Sequence, residues 1–400
     1  AVAMLYWTLK ATGSASLMGL LLTASTLPGV LLSPIGGAWA DRFPRIRTIL
    51  LSDLLSGVVM LTLALVMLRT QDPKIVIPML FGVAVVEGVT RAFFVPAVGA
   101  AIPDLVPKSR LDAANSVNQL AGQGSVLLGQ SVGGVLYSLL GARLLFFVDA
   151  ISFFFSAGCS AFIRLPPPPP RPAAEGLGHA FRQFGTEIRE GLSYVRHNQG
   201  LRGFLVAASG FNFFVVPIGV LLPFYVQDTL RADAAWYGFL LAAVTVGSIL
   251  AYVSAGLLRL SGHARSRLIV AVMIGAPTPL TVIGFVTSRP LALVFAGAVG
   301  AMVGLVNVYS FSVVQATTPQ ELRGRVMGVL ATLSGGLTPI GLALGGILGD
   351  LTGKNIPLVF GICGVSALVF TLSFMTRTAV REFLAYRDEP ERPPATSEVA

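Results

Sequence analysis

The sequence predicts an all-α membrane protein of two similar six-span halves. Three observations carry that reading: long apolar runs recur down the chain, basic residues favour alternate loops between them, and a set of Pro and Gly positions repeats at one spacing. About 20 apolar residues cross a bilayer core. Runs of that order lie at 17–40, 48–68, 75–99, 113–140, 143–163, 203–227, 235–258, 268–287, 291–314, 325–349 and 356–375. Before them stands a stub, Ala1–Leu9, ended by Lys10 and the turn Ala11-Thr12-Gly13-Ser14. A helix of that length covers only about 14 Å. It therefore reads as the end of a first span truncated at its N-terminus, in a chain that starts without Met; completing it gives twelve.

Composition agrees. Charged residues make up 12% of the 400 and hydrophobic ones 54%, where a soluble domain carries about 25% charged residues. The 44 glycines suit close helix approach in a membrane. A net charge of +9 raises the question of nucleic acid, but its placement answers it. Of 28 Lys and Arg, 20 fall in one alternate set of loops plus the linker and tail, 7 in the other set, and Arg91 lies inside a span. That is the positive-inside pattern, and it puts the basic loops, the linker and the C-terminus in the cytoplasm of a multi-pass plasma-membrane protein. Cys159 and Cys363 both sit in apolar spans, without disulfide or metal spacing.

Residues 1–163 form the first half and 203–375 the second, with a linker at 164–202 and a tail from 376. The linker opens with Pro166–Pro170, an extended spacer. A helical stretch follows with Phe181, Phe184, Ile188, Leu192 and Val195 on one face, which reads as an amphipathic helix on the inner membrane surface or else as a purely structural tether. The tail is polar and reads as disordered beyond Asp388. The halves repeat: Pro107, Gly129, Gly133, Gly134 and Gly141 recur 212 residues on as Pro319, Gly341, Gly345, Gly346 and Gly353. Gly36, Arg45 and Arg47 recur at a spacing of 220 as Gly256, Arg265 and Arg267.

The charged hairpin between the second and third spans is the most distinctive motif. It reads Gly37-Ala38-Trp39-Ala40-Asp41-Arg42-Phe43-Pro44-Arg45-Ile46-Arg47 and resembles the signature loop of the major facilitator superfamily. Ala101–Pro107 with Leu111–Ser116, Phe147–Phe153, and Pro319 with Arg323–Val326 resemble the enterobactin-exporter-like and macrolide-efflux-like branch. The resemblance implies a secondary transporter with two parallel repeats. It also implies that the hairpin (Gly37, Asp41, Arg42, Arg45 and Arg47) latches the outward-facing state. In that role Asp41 would rest on the N-terminus of the eleventh span near Arg325–Gly328, and Arg45 would pair with Asp104. One departure stands out. Drug antiporters of the superfamily show Gly-Pro-x-x-Gly-Gly in the fifth span, whereas this chain has Gly129-Gln130-Ser131-Val132-Gly133-Gly134.

Ionisable residues within spans are expensive and read as functional. Asp53 lies in the third span, Glu87 and Arg91 four apart in the fourth, and Asp149 in the sixth. Glu87 and Arg91 share a helix face, as a proton-binding site with a mobile counter-charge or as a fixed ion pair. Asp149 is a second candidate, and Asp53 reads as support for the hairpin. Asp228, Glu321 and Asp350 fall at span ends. Asn115, Gln119 and Gln123, with Gln130, form a polar stripe on the fifth span. With Asn212, Asn307 and Tyr309 they suggest a cavity for an amphipathic small molecule, or else glue between helices. The chain lacks a Walker A loop, a zinc-protease helix and a nucleophile elbow. The expectation is therefore a transporter rather than an enzyme, with no cofactor, metal or nucleic acid: an exporter coupled to protons, its partners being its substrate, protons and membrane lipid. A lipid or nutrient carrier of the same fold, and a non-transporting sensor, stay open as alternatives.

Overall fold

The computed structural model describes residues 2–40, 42–107, 110–163, 177–258 and 262–386. Some side chains within helices, including those of Gln119, Gln123, Gln130 and Glu321, lie outside that description. Among the described residues the structure is a helical bundle. Its first group comprises α1 (Val2–Thr12), α2 (Ala15–Ala40), α3 (Arg45–Arg69), α4 (Pro73–Leu105) and α5 (Leu111–Ala161). The linker helix is α6 (Leu177–His197). The second group comprises α7 (Gln199–Phe224), α8 (Ala234–Leu258), α9 (Gly262–Gly275), α10 (Pro277–Ile283), α11 (Arg289–Thr317), α12 (Gln320–Gly336), α13 (Thr338–Leu351), α14 (Ile356–Met375) and the short α15 (Thr378–Leu384). Nine helical stretches among the described residues are long and apolar enough to cross a membrane.

Local chemistry sets the helix ends. Asp72 accepts from the Lys74 amide at 2.9 Å, with Pro73 at the first position of α4. Asn198 and Asn355 cap α7 and α14 in the same way, on Leu201 and Leu358. Such side chains satisfy amides that have no partner within the helix. The fifth and sixth predicted spans run on as α5, turned at Gly141 with φ +70°; Gly353, 212 residues later, also has positive φ. That backbone conformation favours glycine. The ninth predicted span breaks into α9 and α10 where Pro277 begins a new helix, and the eleventh into α12 and α13 after Gly335-Gly336. Proline supplies no amide to the preceding turn.

One expectation needs correction. The C-terminal part of α6 packs on protein rather than lying free at the surface. Gly191 and Val195 are buried, and a Cβ at Gly191 would lie 2.8 Å from the Arg325 carbonyl oxygen of α12. Glu190 ion-pairs with Arg325, and the Tyr194 hydroxyl donates to the Thr317 carbonyl at 3.2 Å. The first part of the tail is ordered as α15, with Val380 and Leu384 buried. Ser266 donates to the Arg381 carbonyl at 2.8 Å, and buried Arg265 donates to the Tyr386 carbonyl. The stretch beyond Asp388, where disorder is expected, lies outside the described residues.

The core is divided unequally along the bundle. Call the end carrying Arg42–Arg47 and Arg265 the Arg-rich face. Near the opposite face a single apolar cluster joins both groups, with Tyr6, Met18, Leu63 and Met67 beside Leu221, Tyr225 and Phe360. Towards the Arg-rich face there are two separate clusters. One (Ala40, Ile49, Ala97 and Ala101) belongs to the first group, and the other (including Phe204, Val313 and Val326) to the second with α6. Two glycine seams tie the groups together. α2 crosses α13 where a Cβ on Gly19 would overlap the Leu342 carbonyl. α5 crosses α8 where a Cβ on Gly134 would overlap the Ala234 carbonyl and sit 3.0 Å from the Gly238 amide nitrogen. Away from the seams, on the Arg-rich side, Val117 and Leu120 of α5 and Leu250 and Leu257 of α8 are exposed. The halves therefore meet at the opposite face and part towards the Arg-rich one.

The closest approach to a neighbouring backbone within a group is α8 to α11, where a Cβ on Gly300 would overlap the Val244 carbonyl. Gly300→Val is expected to cost about 1–3 kcal/mol by overpacking. Gly82→Ala, with nothing within 4 Å of its Cβ position, is expected to be near neutral. Thermal unfolding in detergent, followed by tryptophan fluorescence, checks the pair.

Candidate functional site

Three helices of the first group converge on a polar cavity of about 290 Å³ within the span region. α3 contributes Ser52, Asp53 and Ser56; α4 contributes Glu87, Thr90, Arg91 and Phe94; α5 contributes Phe153. Residues at i, i+3, i+4 and i+7 share one face of a helix, and 87, 90, 91 and 94 follow that spacing. Asp149 and Ser156 lie on the Phe153 face of α5 by the same rule.

Glycines bring these faces together. A Cβ on Gly57 of α3 would lie 3.0 Å from the Phe154 ring of α5, so that ring can pack against the α3 backbone. On its other side α4 is held to α2, where a Cβ on Gly36 would overlap the Ala92 carbonyl and one on Gly88 would lie 2.7 Å from the Ser25 carbonyl. α4 thus has little freedom to slide, and its polar face stays on the cavity.

Within the cavity Asp53 is 4% exposed and accepts a hydrogen bond from the Ser156 hydroxyl at 2.7 Å. The Ser56 and Thr90 hydroxyls are in contact at 3.1 Å, and Thr90 also donates to the Glu87 carbonyl at 3.1 Å. Glu87 is half-buried and Arg91 exposed. Both line the cavity, yet among the described residues no ion pair joins them, so a permanent Glu87–Arg91 bridge is not what this conformation holds. Asp149 lies within electrostatic range of Glu87. Asp53, expected to support the hairpin, is instead hydrogen-bonded to α5. An apolar groove of about 370 Å³ adjoins the cavity through Ser52 and Thr90; Trp39, Phe43, Leu51 and Phe93 line it.

At the Arg-rich end Arg45 pairs with Asp104 and donates to the Ala40 carbonyl at 3.4 Å. This ties the start of α3 to the end of α4 and the end of α2. Arg47 is exposed, Arg42 sits half-buried at the turn, and Gly37 has nothing within 4 Å of its Cβ position. Asp41 lies outside the described residues; Arg325, near its expected docking point, is engaged by Glu190 of α6.

The expected substrate-cavity residues are dispersed. Asn212 on α7 and Asn307 on α11 are exposed. Tyr309 is buried in the apolar cluster of the second group, with its hydroxyl 3.5 Å from the Ala255 carbonyl. The side chains of Gln119, Gln123 and Gln130 lie outside the description. Two features went unread in the sequence. One is a buried tyrosine cluster across the groups, where Tyr6 packs at 5.4 Å from Tyr137 and 5.6 Å from Tyr237. The other is the placement of Asp350 beside the start of α2. Aromatic residues on separate helices carry no spacing signal, and a carboxylate at a span end looks like any solvated one.

The sequence profile of the Major Facilitator Superfamily matches residues 1–339. The chain belongs to this superfamily. It is 31% identical over 367 residues to multidrug efflux pump Tap of Mycolicibacterium fortuitum, covering 88% of this chain and 86% of that one. It is 24% identical over 358 residues to macrolide efflux protein A of Streptococcus pyogenes, with coverage of 88% and 86%. Among solved structures, a POT family transporter in complex with a thioalcohol-conjugated peptide aligns with a TM-score of 0.71 at 13% identity, over 94% of this chain and 93% of that one. A D-xylose–proton symporter aligns at 0.67 and 16%, over 93% of each. The fold is thus the facilitator fold, and the protein is a multi-pass membrane transporter.

A double-mutant cycle on Arg45→Ala and Asp104→Ala, read by thermal unfolding, is expected to give a coupling of about 1 kcal/mol. Both side chains are partly exposed, at 16% and 29%, which keeps the pair near the range of surface bridges.

Proposed function

We propose that this transporter exports small amphipathic molecules from the cytoplasm by alternating access, driven by proton antiport. The observation that carries the coupling is the shared cavity of Asp53, Glu87 and Arg91 within the span region. Carboxylates so placed are costly unless they serve a path for ions or protons. The names of the efflux relatives support the direction and substrate class, and the adjoining aromatic groove suits an amphipathic cargo.

In this reading the Arg-rich face is cytoplasmic, as are the linker, α15 and the C-terminus, and the structure is the inward-facing member of the cycle. Glu87 takes a proton when its cavity communicates with the outside and releases it when the cavity opens inward, with Arg91 in the same cavity as the nearby positive charge. Its protonation offsets the cost of the unpaired charge during the crossing. The two six-span halves, 1–163 and 203–375, rock about the seams. Asn212 and Asn307, exposed on α7 and α11, face the substrate path, and the Arg45–Asp104 pair holds the hairpin ready to dock on α12 when the cytoplasmic side closes.

Proteoliposome transport of a panel of cationic and aromatic amphiphiles tests this. One antiported proton supports up to about a tenfold substrate gradient per pH unit. Glu87→Gln is expected to abolish gradient-driven accumulation while leaving substrate exchange at zero gradient. Accumulation unchanged in Glu87→Gln removes this residue from coupling; movement indifferent to the gradient in the wild type removes antiport.

A further inference from the structure

We propose that Asp350 is the clasp that holds the opposite face of the transporter shut, and so is a positioning residue for the transport cycle. The proposal rests on the alternating-access reading above and assigns a role in it to a residue at the end of α13.

Asp350 reaches from the second group to the first. Its Oδ2 accepts from the Ser14 hydroxyl at 2.8 Å and from the Ser16 amide at 2.9 Å, and its Oδ1 accepts from the Ala15 amide at 2.9 Å. Since α2 begins at Ala15, those amides belong to its first turn and have no partner inside the helix. A carboxylate there completes them, gains from the helix dipole, and makes charge-assisted bonds. The donors and the acceptor lie more than 330 residues apart in sequence, so nothing local enforces the contact.

The clasp stands at the end of the α2–α13 seam. Next to it a Cβ on Gly346 would overlap the Ala15 carbonyl and lie 2.9 Å from the Ser16 Cα. Further along, the Thr23 hydroxyl donates to the Pro339 carbonyl at 2.9 Å. Opening the opposite face must part this seam, and the three bonds to Asp350 are lost together when it does. The companion α5–α8 seam has no such device among the described residues. The residue 212 positions before Asp350 is Ser138, and its hydroxyl donates within its own helix, to the Val135 carbonyl at 2.8 Å. One seam closes by packing alone and the other by packing plus a carboxylate. Asp350 therefore sets the resting balance in favour of the conformation seen here.

Nitroxide pairs on the full chain test the proposal, on a background with Cys159 and Cys363 replaced by serine. Leu68→Cys with Phe285→Cys reports the opposite face, and Phe162→Cys with Leu257→Cys the Arg-rich face; all four sites are exposed. Asp350→Ala is expected to raise the long-distance population on the opposite face at least threefold and to shorten the Arg-rich pair in step. Ser14→Ala, which leaves the carboxylate but removes its bond to Ser14 along with the bond the Ser14 hydroxyl accepts from the Leu17 amide, is expected to move both pairs the same way by less, and it serves if Asp350→Ala does not fold. A loss of thermal stability with both distributions unchanged overturns the clasp and leaves a merely structural cap. Substrate that moves the wild-type pairs while neither variant does has the same meaning. If substrate and proton gradient leave the wild-type pairs unmoved, the alternating-access reading fails, and the clasp with it.

Discussion

Close approach of helix backbones at glycine is the constraint on which the rest of this structure depends. In a bilayer the lipid tails are as apolar as the helices, so association rests on packing and on hydrogen bonds between helices. The sequence places small residues where contacts must be tightest: Gly36 and Gly88 between α2 and α4, Gly247 and Gly300 between α8 and α11, Gly134 and Gly346 between the two groups. The first four pairings make each group rigid. The last two bring the groups closest at one end, with one shared core near the opposite face and two separate cores towards the Arg-rich face. A rigid unit on each side of two narrow seams is the mechanical form that alternating access requires.

The candidate coupling site inherits its geometry from the same packing. α4 is pinned by α2 on one side, so its Glu87–Thr90–Arg91–Phe94 face meets α3 and α5 on the other. Asp53 accepts from Ser156 across the cavity, whereas among the described residues Glu87 forms no ion pair. In the proposed cycle that difference is the reason for choosing Glu87, rather than Asp53, as the carboxylate that exchanges a proton. Arg91, one turn away and exposed, is the nearby positive charge that a conformational change can bring to bear.

Much of this was legible in the sequence, and the exceptions have physical causes. Span positions follow from apolar runs, and the 212-residue repeat of glycines reappears as matched seams and as positive φ at both Gly141 and Gly353. The shared face of Glu87 and Arg91 follows from their spacing. That Asp53 and Asp149 come to the same region does not, because it depends on how α3 and α5 turn against α4. The docking of α6 and α15 was missed because an amphipathic helix shows one apolar face whether that face meets lipid or protein. Tyr309 looked like a cavity residue because its hydroxyl was visible in the sequence and its burial was not. Asp350 read only as a residue at a span end because its partners, Ser14 to Ser16, lie at the far end of the chain.

The most direct test of this account is sidedness of labelling at Asn212→Cys and Asn307→Cys, each a single cysteine in oriented vesicles, with a membrane-impermeant maleimide and no substrate. The account predicts rapid labelling from the Arg-rich face and protection from the opposite face, because the seams close one end and leave the other apart. Labelling as fast from the opposite face would contradict it, since both sites would then be reachable through an end that the glycine seams and Asp350 are held to seal.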